Sequence, residues 1–269
     1  MRCADRPAHY RAVPAEPNER CIALGASNLA RLALPLLDAL RAATGGPVAL
    51  HAALGRGRSY VVPSRLLGRG LGPIHESRLW RVLEEAPERR GLGLVMDVGN
   101  DILYHVDVPR IVGHVDRTLA RLRPHVEQLV VVGLPLPALR PLTPLRFRLV
   151  SSVLVPRSRL SFAVALAAAE RLHAELARLA RRHRAVFHEP PQRWYGFDPI
   201  HVRRAHWHEA VRTFVGTGAR PVPPPPADGA LARLRFLFAA PDERTWFGER
   251  QRRAQPALRH ADGSSVSMW

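Results

Sequence analysis

Three short stretches carry the residue types that acyl transfer needs: Gly25-Ala26-Ser27, Gly99-Asn100-Asp101 and Asp198-Pro199-Ile200-His201. A hydroxyl is a poor nucleophile until a base takes its proton, and the imidazole of His201 can do that for Ser27. The imidazole must be held in one orientation and its developing charge offset, a role open to Asp198 on the same loop. The tetrahedral oxyanion needs donors already in place. The Ser27 backbone N–H, the Asn100 side-chain amide and a glycine N–H from "ALGRGRSY", Gly57 or Gly55, would serve. Each stretch alone has a plainer reading. Ser27 can start a helix, Asn100 can be a turn residue beside Gly99, and Asp198 can cap a closing helix.

The elements around these residues favour convergence. Short apolar runs over 21–27, 47–54, 91–98, 128–137 and 185–189 read as strands. Between them, segments 28–44, 74–89, 108–127 and 161–184 carry apolar residues at helical spacing, and 202–215 closes as a helix. This alternation predicts an α/β fold with a parallel sheet of about five strands, covered on both faces. In such sheets the chemistry collects beyond the carboxyl ends of the strands. Ser27 follows the first strand, Asn100 the third and the Asp198–His201 loop the fifth. The rest of the chain divides into an N-terminal extension (1–18), the α/β domain (19–216), a Pro-rich linker (217–229) and a C-terminal tail or appendage (230–269). The tail carries Phe236, Phe238, Trp246 and Phe247 without clear periodicity.

Over roughly residues 20–215 the chain resembles the SGNH (GDSL) hydrolase superfamily. The family's G-D-S block matches Gly25-Ala26-Ser27 with Ala26 in place of Asp. Its G-x-N-D block matches Asn100-Asp101 with Val98 where glycine is usual, and its D-x-x-H block matches Asp198 to His201 in full. The resemblance implies a flavodoxin-like three-layer sandwich and a serine hydrolase of carboxylic esters working through an acyl-enzyme, without a cofactor. It assigns Ser27 as nucleophile, His201 as base, Asp198 as its partner and Asn100 as an oxyanion donor. The family's usual N-x-G-x-S-G-like run is replaced by "ALGRGRSY". There Gly57 is the favoured donor over Gly55, because two glycines so spaced leave the backbone free near the site.

Composition removes other classes. All forty basic residues are arginine. A chain without lysine cannot be a phosphate-loop nucleotidase, a protein kinase or a Schiff-base enzyme. It also lacks the Tyr-Lys pair of a reductase, and Gly25 begins no G-x-G-x-x-G run. The net charge is +17, but the arginines are scattered along helix faces and not interleaved with aromatics, which disfavours a nucleic-acid partner. The expected partner is a small-molecule or glycan ester. Arg146, Arg148, Arg157 and Arg159 are candidate contacts for an anionic acyl or sugar group. His201, His206 and His208 do not have zinc spacing, so no metal is expected. Two cysteines make no disulfide framework: Cys21 reads as a core thiol and Cys3 belongs to the terminus. No run of about 18 apolar residues predicts a membrane span. No apolar leader precedes Cys21, so a cytoplasmic location is expected. The rival from another class is a catalytically degenerate protein of the same fold, binding a partner through its arginine-rich surface or aromatic tail.

Overall fold

The computed structural model describes residues 17, 19–66, 68–86, 91–154, 160–216 and 229–269. Its elements run β1 (Glu19–Leu24), α1 (Ser27–Thr44), β2 (Val48–Ala53), β3 (Ser64–Leu66), β4 (Arg69–Leu71), α2 (Leu79–Glu85), β5 (Leu92–Val95), α3 (Asn100–Leu103) and α4 (Val108–Leu122). Then come β6 (Gln128–Val132), α5 (Leu136–Leu139), α6 (Pro144–Leu154), α7 (Phe162–Arg182), β7 (Val186–His188) and α8 (Trp207–Val215). The C-terminal part adds α9 (Gly229–Phe238), β8 (Glu243–Trp246), β9 (Glu249–Arg252), β10 (Leu258–Arg259) and β11 (Ser265–Met268).

The main sheet has the order β10-β11-β2-β1-β5-β6-β7, all parallel except β10. Taken alone, the five strands β2-β1-β5-β6-β7 follow the flavodoxin-like order 2-1-3-4-5. The chain leaves β1 for β2 on one side and returns to β5 on the other. The crevice at this reversal, beyond the carboxyl ends of β1 and β5, is the favoured ligand position of such sheets.

Both faces of the sheet are covered, because alternate residues of each strand point to opposite sides. Ile22 and Leu24 of β1, Val95 of β5 and Leu129 and Val131 of β6 join α2, α4 and α7 in one core. Cys21 and Ala23, Leu92 and Leu94, and Val130 and Val132 join α1, α8 and the C-terminal strands in the other. Cys21 is a buried free thiol, whose pKa burial raises.

The five strands read from the sequence are β1, β2, β5, β6 and β7; the sheet has two more. β11, a run of only four residues, pairs parallel with β2 from Ala49 to Ala52, and β10 pairs antiparallel with β11. A four-residue stretch gives too few alternations to stand out from a tail. β8 and β9 form a second, antiparallel sheet with β3 and β4. Residues 138–160, a connection rich in Pro and Arg, hold the end of α5 and all of α6, with Pro144 at the opening position of α6, where proline is tolerated. The closing helix begins at Trp207 and not at 202: Arg203 is extended (φ -64°, ψ 144°) and a 3₁₀ turn, Arg204–His206, leads into the helix, while the N–H groups of Val202 and Arg203 donate to Asn28 Oδ1 (2.9 Å) and Trp194 O (2.8 Å). Among the described residues no helix is long and apolar enough to cross a membrane. Cys3 and most of the 1–18 extension, together with 217–228 of the Pro-rich segment, lie outside the described residues.

Candidate active site

Ser27 opens α1 one tight turn after β1 ends. A Cβ at Gly25 would lie 2.9 Å from both Leu29 Cβ and Met96 Cγ, so packing requires glycine there. Ala26, where the resembling family carries Asp, is fully buried. The carboxylate beside this turn comes from Asp97, in the loop after β5. Its Oδ2 accepts from the N–H groups of Ala26 (2.8 Å) and Leu29 (3.1 Å), and its Oδ1 accepts from Asn28 Nδ2 (2.8 Å). The N–H groups of a first helical turn lack partners within the helix, and a carboxylate there also faces the positive end of the helix dipole. Asp97 does this from a left-handed backbone (φ 63°), which Asp tolerates better than most residues.

The Ser27 hydroxyl lies 2.8 Å from His201 Nε2, and His201 Nδ1 lies 2.5 Å from Asp198 Oδ2. The other oxygen of Asp198 accepts from the N–H groups of Ile200 (3.2 Å) and His201 (3.3 Å). His201 is buried, while Asp198 is half-exposed. Burial raises the Asp198 carboxyl, but the hydrogen bond and charge of His201 and the two backbone donors outweigh it, and the net shift is downward. A carboxyl depressed in the folded state adds stability in full above its unfolded value, and that stability is lost as pH falls through the folded value. Below the ordinary carboxylate value of 3.8, wild type is therefore expected to lose more unfolding free energy than Asp198→Asn. Denaturant titrations of both proteins across that acid range check this.

Asn28 joins the turn that carries Ser27 to the loop that carries His201. Its Nδ2 donates to Ile200 O (2.8 Å) as well as to Asp97, and its Oδ1 accepts from Val202 N (2.9 Å). The residues on either side of His201 are thus fixed to the neighbour of Ser27. Asn28→Ala is expected to lower kcat by about 10²-fold with KM little changed, since a misplacement of about 1 Å costs that much. The buried groups left unpaired should cost about 1–3 kcal/mol of stability. Steady-state kinetics and a thermal melt on one preparation measure both.

Asn100 opens α3, and its amide reaches Arg58 O over a long 3.4 Å contact. Next to it, fully buried Asp101 accepts from the Ser59 hydroxyl and from Tyr60 N (3.0 Å) and Val61 N (3.1 Å). Burial raises the Asp101 carboxyl in spite of these donors. The Tyr60 hydroxyl is shared between Leu24 O and Met96 O, 2.8 Å from each, at the ends of β1 and β5. The segment after β2 is thereby anchored to both strand ends that carry Ser27 and Asn100. Within it, Gly57 adopts φ 71° and its carbonyl accepts from the Tyr104 hydroxyl (2.5 Å). Gly55 answers to packing, since a Cβ there would lie 2.1 Å from Leu71 Cδ1.

An apolar chamber of about 120 Å³ opens beside Ser27 and Asn100, walled by Met96, Val98, Leu134, Phe147, Phe162 and Ile200 among others. Val98, where the resembling family has glycine, is part of this wall. Arg146 is engaged elsewhere: its guanidinium donates to Phe197 O (3.0 and 2.6 Å) and Gly196 O (2.5 Å) and stacks on the Phe197 ring, tying α6 to the loop before Asp198. Arg148 is exposed, and Arg157 and Arg159 lie outside the described residues.

Ser27, His201 and Asp198 are therefore hydrogen-bonded in series, and Asn100 shares the chamber with Ser27. Asp97 and Asn28 are the residues a motif reading of the site passes over. A signal for each was present: Asn28 directly follows Ser27, and Asp97 is the first charged residue after an apolar strand. His206 binds Glu209 (Nδ1 to Oε2, 3.0 Å), and among the described residues no group of three His, Cys, Asp or Glu side chains could hold a metal ion.

No protein-family model and no curated protein sequence matches the chain. Solved structures similar to it include LAE5, an alpha/beta hydrolase enzyme from the metagenome of Lake Arreo, Spain, at 12% identity and TM-score 0.47, over 75% of this chain and 97% of that one. Axe2, an acetylxylan esterase from Geobacillus stearothermophilus, is 9% identical with TM-score 0.45, over 76% of this chain and 97% of that one. The psychrotrophic esterase EstA from Pseudoalteromonas sp. is 11% identical with TM-score 0.45, over 74% of this chain and 96% of that one.

Proposed function

We propose that this protein is a serine hydrolase of carboxylic esters, of the SGNH type, acting through an acyl-enzyme. The observation that carries the proposal is the unbroken series Ser27 Oγ, His201 Nε2 (2.8 Å), His201 Nδ1, Asp198 Oδ2 (2.5 Å), with the hydroxyl bordering an apolar chamber. In this reading Ser27 Oγ attacks the carbonyl carbon while its proton passes to His201 Nε2. Asp198 holds the Nδ1 proton and stabilises the imidazolium. The oxyanion is met by the Ser27 N–H, the Asn100 amide and the Gly57 N–H, at the positive end of α1. The long contact of Asn100 with Arg58 O leaves its amide available for this role. Collapse of the intermediate expels the leaving oxygen, which takes the proton from Nε2. Water, deprotonated by the same nitrogen, then attacks the acyl carbon; the bond from that carbon to Ser27 Oγ breaks, Oγ takes the proton back from Nε2, and the acid is released.

The chamber suits the acyl group, since its walls are aliphatic and aromatic. No step needs a metal or an organic cofactor. Hydrolysis of p-nitrophenyl esters from acetate to octanoate tests the proposal: turnover is expected, with a chain-length preference set by the chamber. A folded protein that turns over no member of the series, and releases no acid from glycan esters, would count against it.

A further inference from the structure

A second cavity, of about 460 Å³, borders His201 and Asp198 and shares only Val202 with the apolar chamber. Its other walls include Arg31, Arg56, Arg203, Arg204, Phe197 and Trp207. Each arginine arrives from a segment that the fold brings to the site. Arg31 lies four residues after Ser27 on α1, one turn further along the same helix face. Arg56 follows β2, between Gly55 and Gly57, and Arg203 and Arg204 directly follow the His201 loop. All four side chains are exposed, and among the described residues none has an ion-pair partner. The one carboxylate in the wall, Asp198, is committed to His201. Other exposed arginines also have no ion-pair partner among the described residues, as Arg117, Arg148 and Arg171 show; these four differ in lining one concave space beside His201.

The Ser27–His201 hydrogen bond thus has an apolar chamber at its serine and an arginine-lined cavity at its imidazole. In ester hydrolysis the leaving group takes its proton from the imidazole, so it departs on that side. Four guanidiniums around one concave space focus a positive potential there, and guanidinium matches phosphate oxygens in a two-point fork. We infer that the second cavity is a leaving-group subsite and that the substrate is an acyl ester or thioester whose leaving group carries phosphate. The inference rests on the hydrolase reading above, and it adds the chemical class of the group released.

The test compares butyryl-coenzyme A and 1-butyryl-glycerol 3-phosphate with the neutral p-nitrophenyl butyrate, on wild type and on Arg31→Ala/Arg56→Ala. These two exposed residues are outside the catalytic series, so the fold should be kept. A KM lower for a phosphate-bearing substrate than for the neutral ester, raised about tenfold in the double variant and raised by added salt in wild type, is the expected result. The neutral ester should be unaffected by either change. Whichever phosphate-bearing substrate shows the effect identifies the source of the phosphate.

Calorimetric binding of inorganic pyrophosphate to Ser27→Ala protein, with and without the two arginine changes, reads the subsite without turnover. Ser27-dependent hydrolysis of the neutral ester, with the arginine changes moving neither phosphate-bearing KM nor pyrophosphate binding, would overturn the subsite and leave the hydrolase reading intact. Pyrophosphate binding that weakens about tenfold in the double variant, in a protein that hydrolyses nothing, would keep the anion site and overturn the hydrolase reading.

Discussion

Ser27→Ala is expected to lower kcat for ester hydrolysis by about 10⁴-fold or more, and adding His201→Ala should cost little further. The reason is geometric. The hydroxyl and the imidazole act as one unit through a 2.8 Å hydrogen bond, so either loss removes the same activated nucleophile. What survives is the contribution of the oxyanion donors and of binding, which serves water attack as well. Folding should be nearly untouched, within about 0.5 kcal/mol, because among the described residues the Ser27 side chain bonds only His201, and the start of α1 is held by Asp97. A kinetic cycle of wild type, the two single variants and the double variant measures this. Losses that multiply would show that the two residues act separately.

Asp198→Asn is expected to cost about 10⁴-fold in kcat, more than Asp198→Ala. One oxygen of Asp198 already accepts from the N–H groups of Ile200 and His201. An asparagine would place its carbonyl oxygen there, turning its NH₂ group toward His201 Nδ1. Nδ1 would then have to accept, the ring proton would move to Nε2, and the ring could no longer take the proton of Ser27. Alanine imposes no tautomer and leaves part of the population competent. Rates for both variants decide it, and imidazole nitrogen shifts measured by NMR would report the tautomer directly. Equal rates with an unchanged tautomer would remove this role from Asp198.

The legible part of the chain was its strongly periodic part. β1, β2, β5, β6 and β7 are apolar runs long enough to read, and their alternation with helices was sufficient to place Ser27, Asn100 and His201 at strand ends. The pairing of Asp198 with His201 was also local, three residues apart on one loop. The contacts that position the site were not readable, because they join residues far apart in sequence. Asp97 reaches back across the sheet to Ala26 and Leu29, and Asn28 reaches forward to Ile200 and Val202. Asp101, legible in the sequence only as the second residue of the Asn100-Asp101 block, is a fully buried clamp on Ser59, Tyr60 and Val61. β11 gave no signal because a four-residue strand is defined by its neighbour β2 and not by its own pattern. The arginines around His201 were hidden for the opposite reason: in a chain whose forty basic residues are all arginine, four of them drawn from separate parts of the sequence carry no local mark.

Labelling of the folded wild-type protein with a fluorophosphonate, followed by intact mass and peptide mapping, tests most directly whether Ser27 is an activated nucleophile. A single stoichiometric adduct on Ser27, formed much more slowly in His201→Ala, is the expected result. No adduct at saturating probe, or an adduct on any other residue, would contradict the assignment of Ser27 and with it the acyl-enzyme route.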